Sequence, residues 1–253
     1  MHALPSIKLT SVLAGVLLLS YGCSQSTETK NRTGQFVDRG VVEPGQNPGR
    51  PIQIEVDAAQ DAQGTYAFEL APLGGSPVTN VSGAGSISVR GDHFEVSVKV
   101  DGLEAFSSHA QYLHEGAICP DLNADSNADE HLDSVEVLET SGKILIPFDG
   151  DLSAQMLDSN VFPAANGAGK ISYLNAASFS LLIGDLRVED ENTEDSYTKL
   201  PLDQTLNFEG RTVVIYGVPT STEVPATIRS FSGFDRQSSI PIACGKIHRV
   251  IEE

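Results

Sequence analysis

Positive charge is scarce in this sequence. Its 253 residues include 16 lysines and arginines against 34 aspartates and glutamates, which gives a formal net charge of −18. A chain this acidic repels nucleic acid and anionic surfaces, and it attracts cations. We therefore expect no nucleic-acid partner.

Familiar catalytic motifs and long apolar runs are also missing. The sequence has no Gly-x-Ser-x-Gly elbow, no Walker loop and no His-Glu-x-x-His motif, so we assign no catalytic residue from a motif. Its most extended apolar run, SVLAGVLLLSYG, is too short for a comfortable membrane span. No stretch has the periodicity of a convincing amphipathic helix.

That apolar run has the form of a secretory signal. Lys8 precedes it, and small Gly22 stands immediately before Cys23. A cysteine directly after a cleavage point resembles a bacterial lipobox, in which the thiol is acylated. We predict that residues 1–22 are a lipoprotein signal peptide and that acylated Cys23 is held in the lipid bilayer. The alternative is plain secretion with a free Cys23.

Cysteine is rare, and its distribution fits an exported protein. The chain has three cysteines: Cys23, which is the proposed lipidation site, and Cys119 and Cys244. Export makes a disulfide between them the default. Because the loop that it closes is long, the chain-entropy model gives it about 4–5 kcal/mol of stabilisation.

The N-terminal part of the mature chain looks like a linker. Residues 23–50 are polar, contain glycine and proline and show no sustained periodicity, so we predict a flexible tether. By enterobacterial sorting habits, Ser24 directly after the lipidated cysteine favours the outer membrane over the inner one. We thus predict that a lipid anchor holds the protein in the bacterial cell envelope.

From residue 51 onward, short stretches alternate apolar and polar residues between glycine, aspartate and asparagine. This pattern is typical of antiparallel strands, and about 200 residues of it suit one all-β sandwich or barrel over 51–253. The stretches read as strands include PIQIEV, GTYAFELAPL, GSISVRG, HFEVSVKVDGL, GKILIPFDG, ASFSLLIGDLRV, RTVVIYGV and IACGKIHRVI.

The stretch DSNADEHLDSVE, residues 125–136, has the ligand order of an EF-hand calcium loop. Oxygen ligands fall at loop positions 1, 3, 5, 7, 9 and 12, where position 7 uses its backbone carbonyl and position 12 is a bidentate glutamate. Glu130 stands at position 6, where glycine normally makes the sharp turn. We predict a structural Ca²⁺ site, and an acidic surface loop is the alternative. The predicted ligands are Asp125, Asn127, Asp129, His131, Asp133 and Glu136.

Several motifs occur in a recognisable order along the domain. The stretch SSHAQYLHEGAIC contains two histidines and a loop cysteine, and it is followed by GRTVV on a late strand and by ACGKI near the C-terminus. In this order and over about residues 51–250, the chain resembles the copper/zinc superoxide dismutase family. It resembles most closely a degenerate lipoprotein version of that domain with an EF-hand-like loop. The resemblance implies a Greek-key β-sandwich or barrel.

The resemblance also implies which residues of this chain stand at the family's copper-ligand and disulfide positions. His114 falls on the second histidine of the family's copper pair, while Tyr112 and Tyr216 stand where two other copper histidines are expected. His109 matches a family histidine with a structural role. Cys119 and Cys244 fall on the family's intrasubunit disulfide.

Two functions remain open at this point. Copper redox chemistry needs several neutral imidazoles, and two phenols with ordinary pKa values near ~10 are poor substitutes. Tyr112, His114 and Tyr216 therefore predict a vestigial copper site in a non-enzymatic, calcium-stabilised binding or structural module of the cell envelope. The alternative is a periplasmic or surface superoxide dismutase that uses copper with atypical ligands.

Overall fold

Period-two alternation of apolar residues builds the first three strands. β1 (Gly64–Pro72), β2 (Ser82–Arg90) and β3 (His93–Asp101) bury alternate side chains, over residues 66–70 of β1, 87–89 of β2 and 94–100 of β3. The loop 73–81, which contains Gly74 and Gly75, joins β1 to β2, and the turn Gly91-Asp92 joins β2 to β3, so the three strands pair as two hairpins. The computed structural model describes residues 61–155, 161–188, 195–231 and 234–251, all within the unit Arg50–Glu253.

Six further strands complete the sheet in the described residues. They are β4 (Gln111–His114), β5 (Ile144–Pro147), β6 (Ile171–Ser178), β7 (Thr212–Tyr216), β8 (Pro241–Lys246) and β9 (His248–Arg249). The sheet order is β5-β4-β7-β8-β1-β2-β3-β6, and β9 pairs with β1. Every pairing between these strands is antiparallel.

The sheet curls at β1, which belongs to both of its halves. Residues 64–70 of β1 pair with β2, whereas Ala71 and Pro72 pair with β8. The connections from β3 to β4 and from β6 to β7 cross between the halves, which is Greek-key connectivity. The all-β Greek-key prediction is therefore confirmed. The stretch PIQIEV lies outside the described residues.

The described residues include two short α-helices, although the sequence predicted none. Helix α1 spans Ser134–Ser141 and helix α2 spans Phe179–Arg187, inside the stretch 177–188 that was read as a strand. The α2 stretch is helical because Ser178 caps it and Phe179, Leu182, Ile183 and Leu186 recur at helical spacing on its buried face. The described residues contain no helix long and apolar enough to cross a membrane.

Strand β4 separates two apolar cores because all four of its residues are buried. Leu113 points into the main core inside the curled sheet. Tyr112 points to the opposite face, where a second cluster includes Phe162, Tyr216 and Phe231. This outer face carries the residues that the sequence singled out.

Candidate functional site

Strands β4 and β7 bring the three predicted copper-site residues together. Tyr112 and His114 alternate onto the outer face of β4, and Tyr112 lies opposite Val214 of the antiparallel neighbour β7. Tyr216 is two residues further along β7, so it projects from the same face. The ring of Tyr112 is 5.6 Å from that of Tyr216 and 6.4 Å from that of His114, and the His114 and Tyr216 rings are 6.2 Å apart.

Both ring nitrogens of His114 already have protein partners. Nδ1 is 2.8 Å from the carbonyl oxygen of Gly142, and Nε2 is 3.1 Å from the hydroxyl of Tyr216. Because a carbonyl can only accept, Nδ1 carries the proton and donates it. The neutral ring therefore has its lone pair on Nε2, which accepts from the Tyr216 hydroxyl.

Burial keeps both of these groups uncharged. The His114 side chain is fully buried, and desolvation lowers its pKa to about 4 although the hydrogen bond to Gly142 opposes the change. Burial also raises the pKa of Tyr216 well above its ordinary value. At neutral pH the pair is thus a neutral imidazole and an intact phenol.

Aromatic side chains enclose this pair. Phe162 and Phe231 meet the Tyr112 ring edge-on, at centroid distances of 5.3 Å and 5.7 Å, and Phe231 also lies 5.9 Å from Tyr216. We call Tyr112, Phe162, Tyr216 and Phe231 the aromatic cluster. Its two phenylalanines come from distant loops without a periodic pattern, and the sequence analysis did not find them.

The donor set of this site does not fit a copper redox centre. His114 supplies its single imidazole, and neither of its nitrogens is available unless a protein hydrogen bond breaks. The nearby His109 turns Nδ1 to the backbone carbonyl of Tyr216, at 3.0 Å. Within the part of the chain that the structure describes, no three His, Cys, Asp or Glu side chains are grouped to hold a metal ion.

We predict that Tyr216→Phe lowers the free energy of unfolding by about 1–3 kcal/mol. The change removes only a hydroxyl, and it leaves Nε2 of His114 buried without a donor. Urea denaturation of both proteins measures the loss.

Tyr66→Phe is a matched control for this prediction. Its hydroxyl is also removed from a buried ring, but the acceptor is the carbonyl of exposed Asp61, which water can reach. The control should lose less stability than Tyr216→Phe. Equal stability of Tyr216→Phe and wild type would contradict the hydrogen bond to His114.

The acidic loop folds around its own side chains. The Asp125 carboxylate accepts from the backbone amides of Asp129 and Glu130, at 3.3 Å and 2.8 Å. The side chains of Asn127 and Asp129 each accept from the amide two residues later. Glu130 has φ +66°, so it adopts the left-handed turn that glycine usually makes at this loop position.

The last two predicted calcium ligands begin helix α1. Asp133 is its N-cap, and the Glu136 side chain completes the capping box by accepting a hydrogen bond from the Asp133 backbone amide. Both side chains are fully buried and bind Arg229, whose Nε lies 2.8 Å from Asp133 and whose Nη2 lies 2.9 Å from Glu136. The hydrogen bond to Asp133 raises the pKa of Arg229.

Arg229 therefore supplies a positive charge to the acidic loop that the sequence analysis missed. The ring of His131, the remaining predicted ligand, turns Nδ1 to the carbonyl of Gly75, at 3.2 Å. The structure places the six predicted ligands along the acidic loop and the first turn of α1, and protein donors bond to the side-chain oxygens of the carboxylates and of Asn127.

The disulfide prediction is confirmed. Cys119 and Cys244 are bonded, 125 residues apart, and the bond joins the loop after β4 to β8. Cys244 belongs to the same outer cluster as Tyr112 and Tyr216. The predicted lipidation site, Cys23, lies outside the described residues.

Among solved structures, the chain is similar to a mutant of a SOD-like protein from Bacillus subtilis. The alignment has 13% identity and a TM-score of 0.35, and it covers 71% of this chain and 95% of that chain. A superposition this loose carries no argument about ligands or activity. No protein-family model and no curated protein matches the sequence.

Proposed function

We propose that this protein is a non-enzymatic binding or structural module of the bacterial cell envelope, attached by a lipid and stabilised by calcium. The observation that carries the non-enzymatic part is the hydrogen bonding of His114. Its two nitrogens bind Gly142 and Tyr216 inside an aromatic cluster, where the resembled family would hold copper. The aromatic cluster then serves to pack the outer face of β4 and β7.

Redox turnover needs ligands that hold a metal in two oxidation states. A single imidazole and two phenols hold copper poorly, because a phenol must lose its proton to become a good ligand, and burial raises the pKa of Tyr216. Copper bound at His114 Nε2 or at the Tyr216 hydroxyl would also break the buried hydrogen bond between them. The donor chemistry thus supports a packing role over catalysis.

The second candidate is a copper-dependent superoxide dismutase with Tyr112, His114 and Tyr216 as ligands. It is favoured by the convergence of these three rings on one face of the sheet. Metal analysis of protein purified from the cell envelope separates the two candidates when dismutase activity is measured before and after copper loading. Activity that tracks copper content would establish the dismutase, and its absence after loading supports the module.

Lipid attachment through Cys23 is tested by a Cys23→Ser variant. We expect this variant to lose the acyl label and to leave the detergent phase, because it lacks the thiol that carries the lipid. Firm anchoring needs several acyl chains, since one chain gives a membrane association constant of only about 10⁴ M⁻¹. Metabolic fatty-acid labelling and detergent partitioning measure both effects. Unchanged membrane retention of the variant would contradict the anchor.

Calcium is predicted to raise the melting temperature of the domain. A cation that binds only the folded state stabilises it by about 2.7 kcal/mol at a hundredfold excess over its Kd. For an extracellular site of roughly millimolar affinity, Ca²⁺ at tens of millimolar should give a measurable rise. Mg²⁺ should do less, because it gives up its water reluctantly and needs a tighter octahedral shell.

Glu136→Gln should remove most of the calcium-dependent rise, since it takes away the predicted bidentate ligand. The matched control is Glu139→Gln, which removes the same charge from an exposed position on the same helix and should keep the rise. The Ca²⁺-induced difference is compared within each variant, because Glu136 also caps α1. If both variants respond like wild type, residues 125–136 are only an acidic loop.

A further inference from the structure

The guanidinium of Arg229 takes the place of a cation at the start of α1. Its Nε lies 2.8 Å from a carboxylate oxygen of Asp133, and its Nη2 lies 2.9 Å from one of Glu136. The same Nη2 donates to the Ser126 hydroxyl at 3.1 Å. Asp133 and Glu136 are two of the predicted calcium ligands, so the guanidinium binds carboxylates that the metal ion would use.

This guanidinium also lies on the solvent side of the two carboxylates. The side chains of Asp133 and Glu136 have no exposed surface, whereas that of Arg229 is 38% exposed. The remaining hydrogen bonds of the two carboxylates come from backbone amides and from the Ser126 hydroxyl. Because like charges repel, the guanidinium and a metal ion cannot share this position.

Residues 125–136 need a positive charge from elsewhere in the chain. They include five aspartates and glutamates and no lysine or arginine. Of the ion pairs in the described part of the chain, only those of Arg229 reach these carboxylates. A buried carboxylate without a cation is strongly destabilising, and either a guanidinium or a metal ion removes that cost.

Several hydrogen bonds fasten the stretch 227–231 to the acidic loop and to α1. Besides those of the guanidinium, they run from the Thr227 hydroxyl to Asp129, from the Arg229 amide to Asp133 and from the Phe231 amide to the Ser134 hydroxyl. Asp129 and Asp133 are both predicted metal ligands. A metal ion at these carboxylates therefore competes with the bonds that hold the stretch in place.

The same stretch ends in the aromatic cluster. The ring of Phe231 lies 5.7 Å from that of Tyr112 and 5.9 Å from that of Tyr216. Phe231 is two residues beyond Arg229, so a movement of the Arg229 backbone shifts the Phe231 ring against both tyrosines. Contiguous contacts of this kind can couple two sites when both bias the same element.

We infer that Arg229 is an internal competitor for the calcium site, and that a metal ion binds only by displacing its guanidinium into solvent. The displacement loosens the stretch 227–231 and moves Phe231 within the aromatic cluster. The inference rests on the calcium site proposed above and adds the residue that sets its affinity. It also accounts for weak binding, since each metal ion that enters must break the ion pairs of Arg229.

Calcium affinities of three forms of the full, disulfide-bonded protein test this competition. Titration with Ca²⁺, followed through the amide resonances of the acidic loop, gives the Kd for wild type, Arg229→Gln and Arg236→Gln. The last variant is the matched control, because it removes the same charge from an exposed position. Arg229→Gln should bind Ca²⁺ at least about tenfold more tightly than Arg236→Gln, because the metal ion no longer breaks two charged hydrogen bonds.

The wild-type protein gives a second readout in the same titration. Saturation with Ca²⁺ should shift the Arg229 Nε resonance toward that of a solvated guanidinium, and it should shift the ring resonances of Tyr112 and Tyr216. Tyr66, which packs in the main core, is the internal control and should not respond. Carbon-13 labelling of tyrosine rings and nitrogen-15 labelling of arginine allow both observations.

Equal Ca²⁺ affinities of Arg229→Gln and Arg236→Gln would overturn the competition and leave the calcium site standing. Absence of saturable Ca²⁺ binding in all three forms would instead contradict the calcium site, and the competition with it. If Arg229→Gln does not fold, the wild-type spectra decide. An Arg229 Nε resonance that stays unchanged while Ca²⁺ saturates the loop would then overturn the inference.

Discussion

Replacing both Cys119 and Cys244 by serine should lower the free energy of unfolding by about 5 kcal/mol. The bond closes a loop between residues 125 apart, and in the chain-entropy model a loop of this length removes that much freedom from the unfolded chain. Domains typically unfold with 5–15 kcal/mol, so the loss takes a large part of the total, as a rough scale. Cys244 also packs in the outer cluster, which adds a smaller packing loss.

Urea unfolding of the double variant, compared with the oxidised protein, measures this loss. Cys23→Ser is the matched control, because it removes a cysteine and leaves the disulfide intact. The control should unfold at the same urea concentration as the wild-type protein. A double variant as stable as wild type would show that the bond between β8 and the loop after β4 contributes nothing to stability.

Arg229→Gln should be the next most damaging change, at about 2–3 kcal/mol. Removing one partner of a buried ion pair costs about 3–5 kcal/mol, and we reduce this because the Arg229 side chain is 38% exposed. The variant leaves Asp133 and Glu136 buried without a charged partner at the start of α1. It also removes a contact between the acidic loop and the late loop before β8.

The control for this prediction is Arg236→Gln, which removes an exposed arginine from the same late loop. Thermal and urea unfolding should show a change within about 0.5 kcal/mol for it. Equal stability of Arg229→Gln and Arg236→Gln would contradict a structural role of the Arg229 pairs. Addition of Glu136→Gln to Arg229→Gln should cost less than the sum of the two single changes, because the residues share one interaction.

The sequence predicted strands well where one face meets the core and the other meets water. Stretches such as HFEVSVKVDGL alternate cleanly, and β3 follows them. The prediction of a strand over 177–188 was wrong, because neighbouring apolar residues in this stretch fit a buried strand as well as a helix. What decides there is Ser178, which caps α2, and the spacing of Phe179 and Leu182 toward the core.

On the outer face of the sheet, only the residues that lie on strands could be predicted. Alternation on β4 places Tyr112 and His114 on one face, and the resemblance supplied Tyr216. Phe231 and Arg229 come from a loop without periodicity, so no pattern in the sequence connects them to these residues. Their positions depend on the long-range packing of loops.

Glu130 shows the same limit within the acidic loop. The EF-hand pattern expects glycine at this position because the turn needs a positive φ. Glu130 adopts φ +66° with a side chain present, at a cost of about 1–3 kcal/mol. The hydrogen bond from its amide to Asp125 helps to hold this conformation.

Copper titration of the wild-type protein and of a Tyr112→His/Tyr216→His variant tests the central claim most directly. Competition with a chromophoric copper chelator gives the affinity, and electron paramagnetic resonance gives the ligands. The claim is that this face has no copper site, because tyrosines stand at two of the expected copper-histidine positions and both ring nitrogens of His114 are hydrogen-bonded to the protein. It predicts no stoichiometric copper at His114 in the wild-type protein, and tight binding with imidazole nitrogen ligands in the variant. One equivalent of copper bound by the wild-type protein through His114, with dismutase activity, would contradict it.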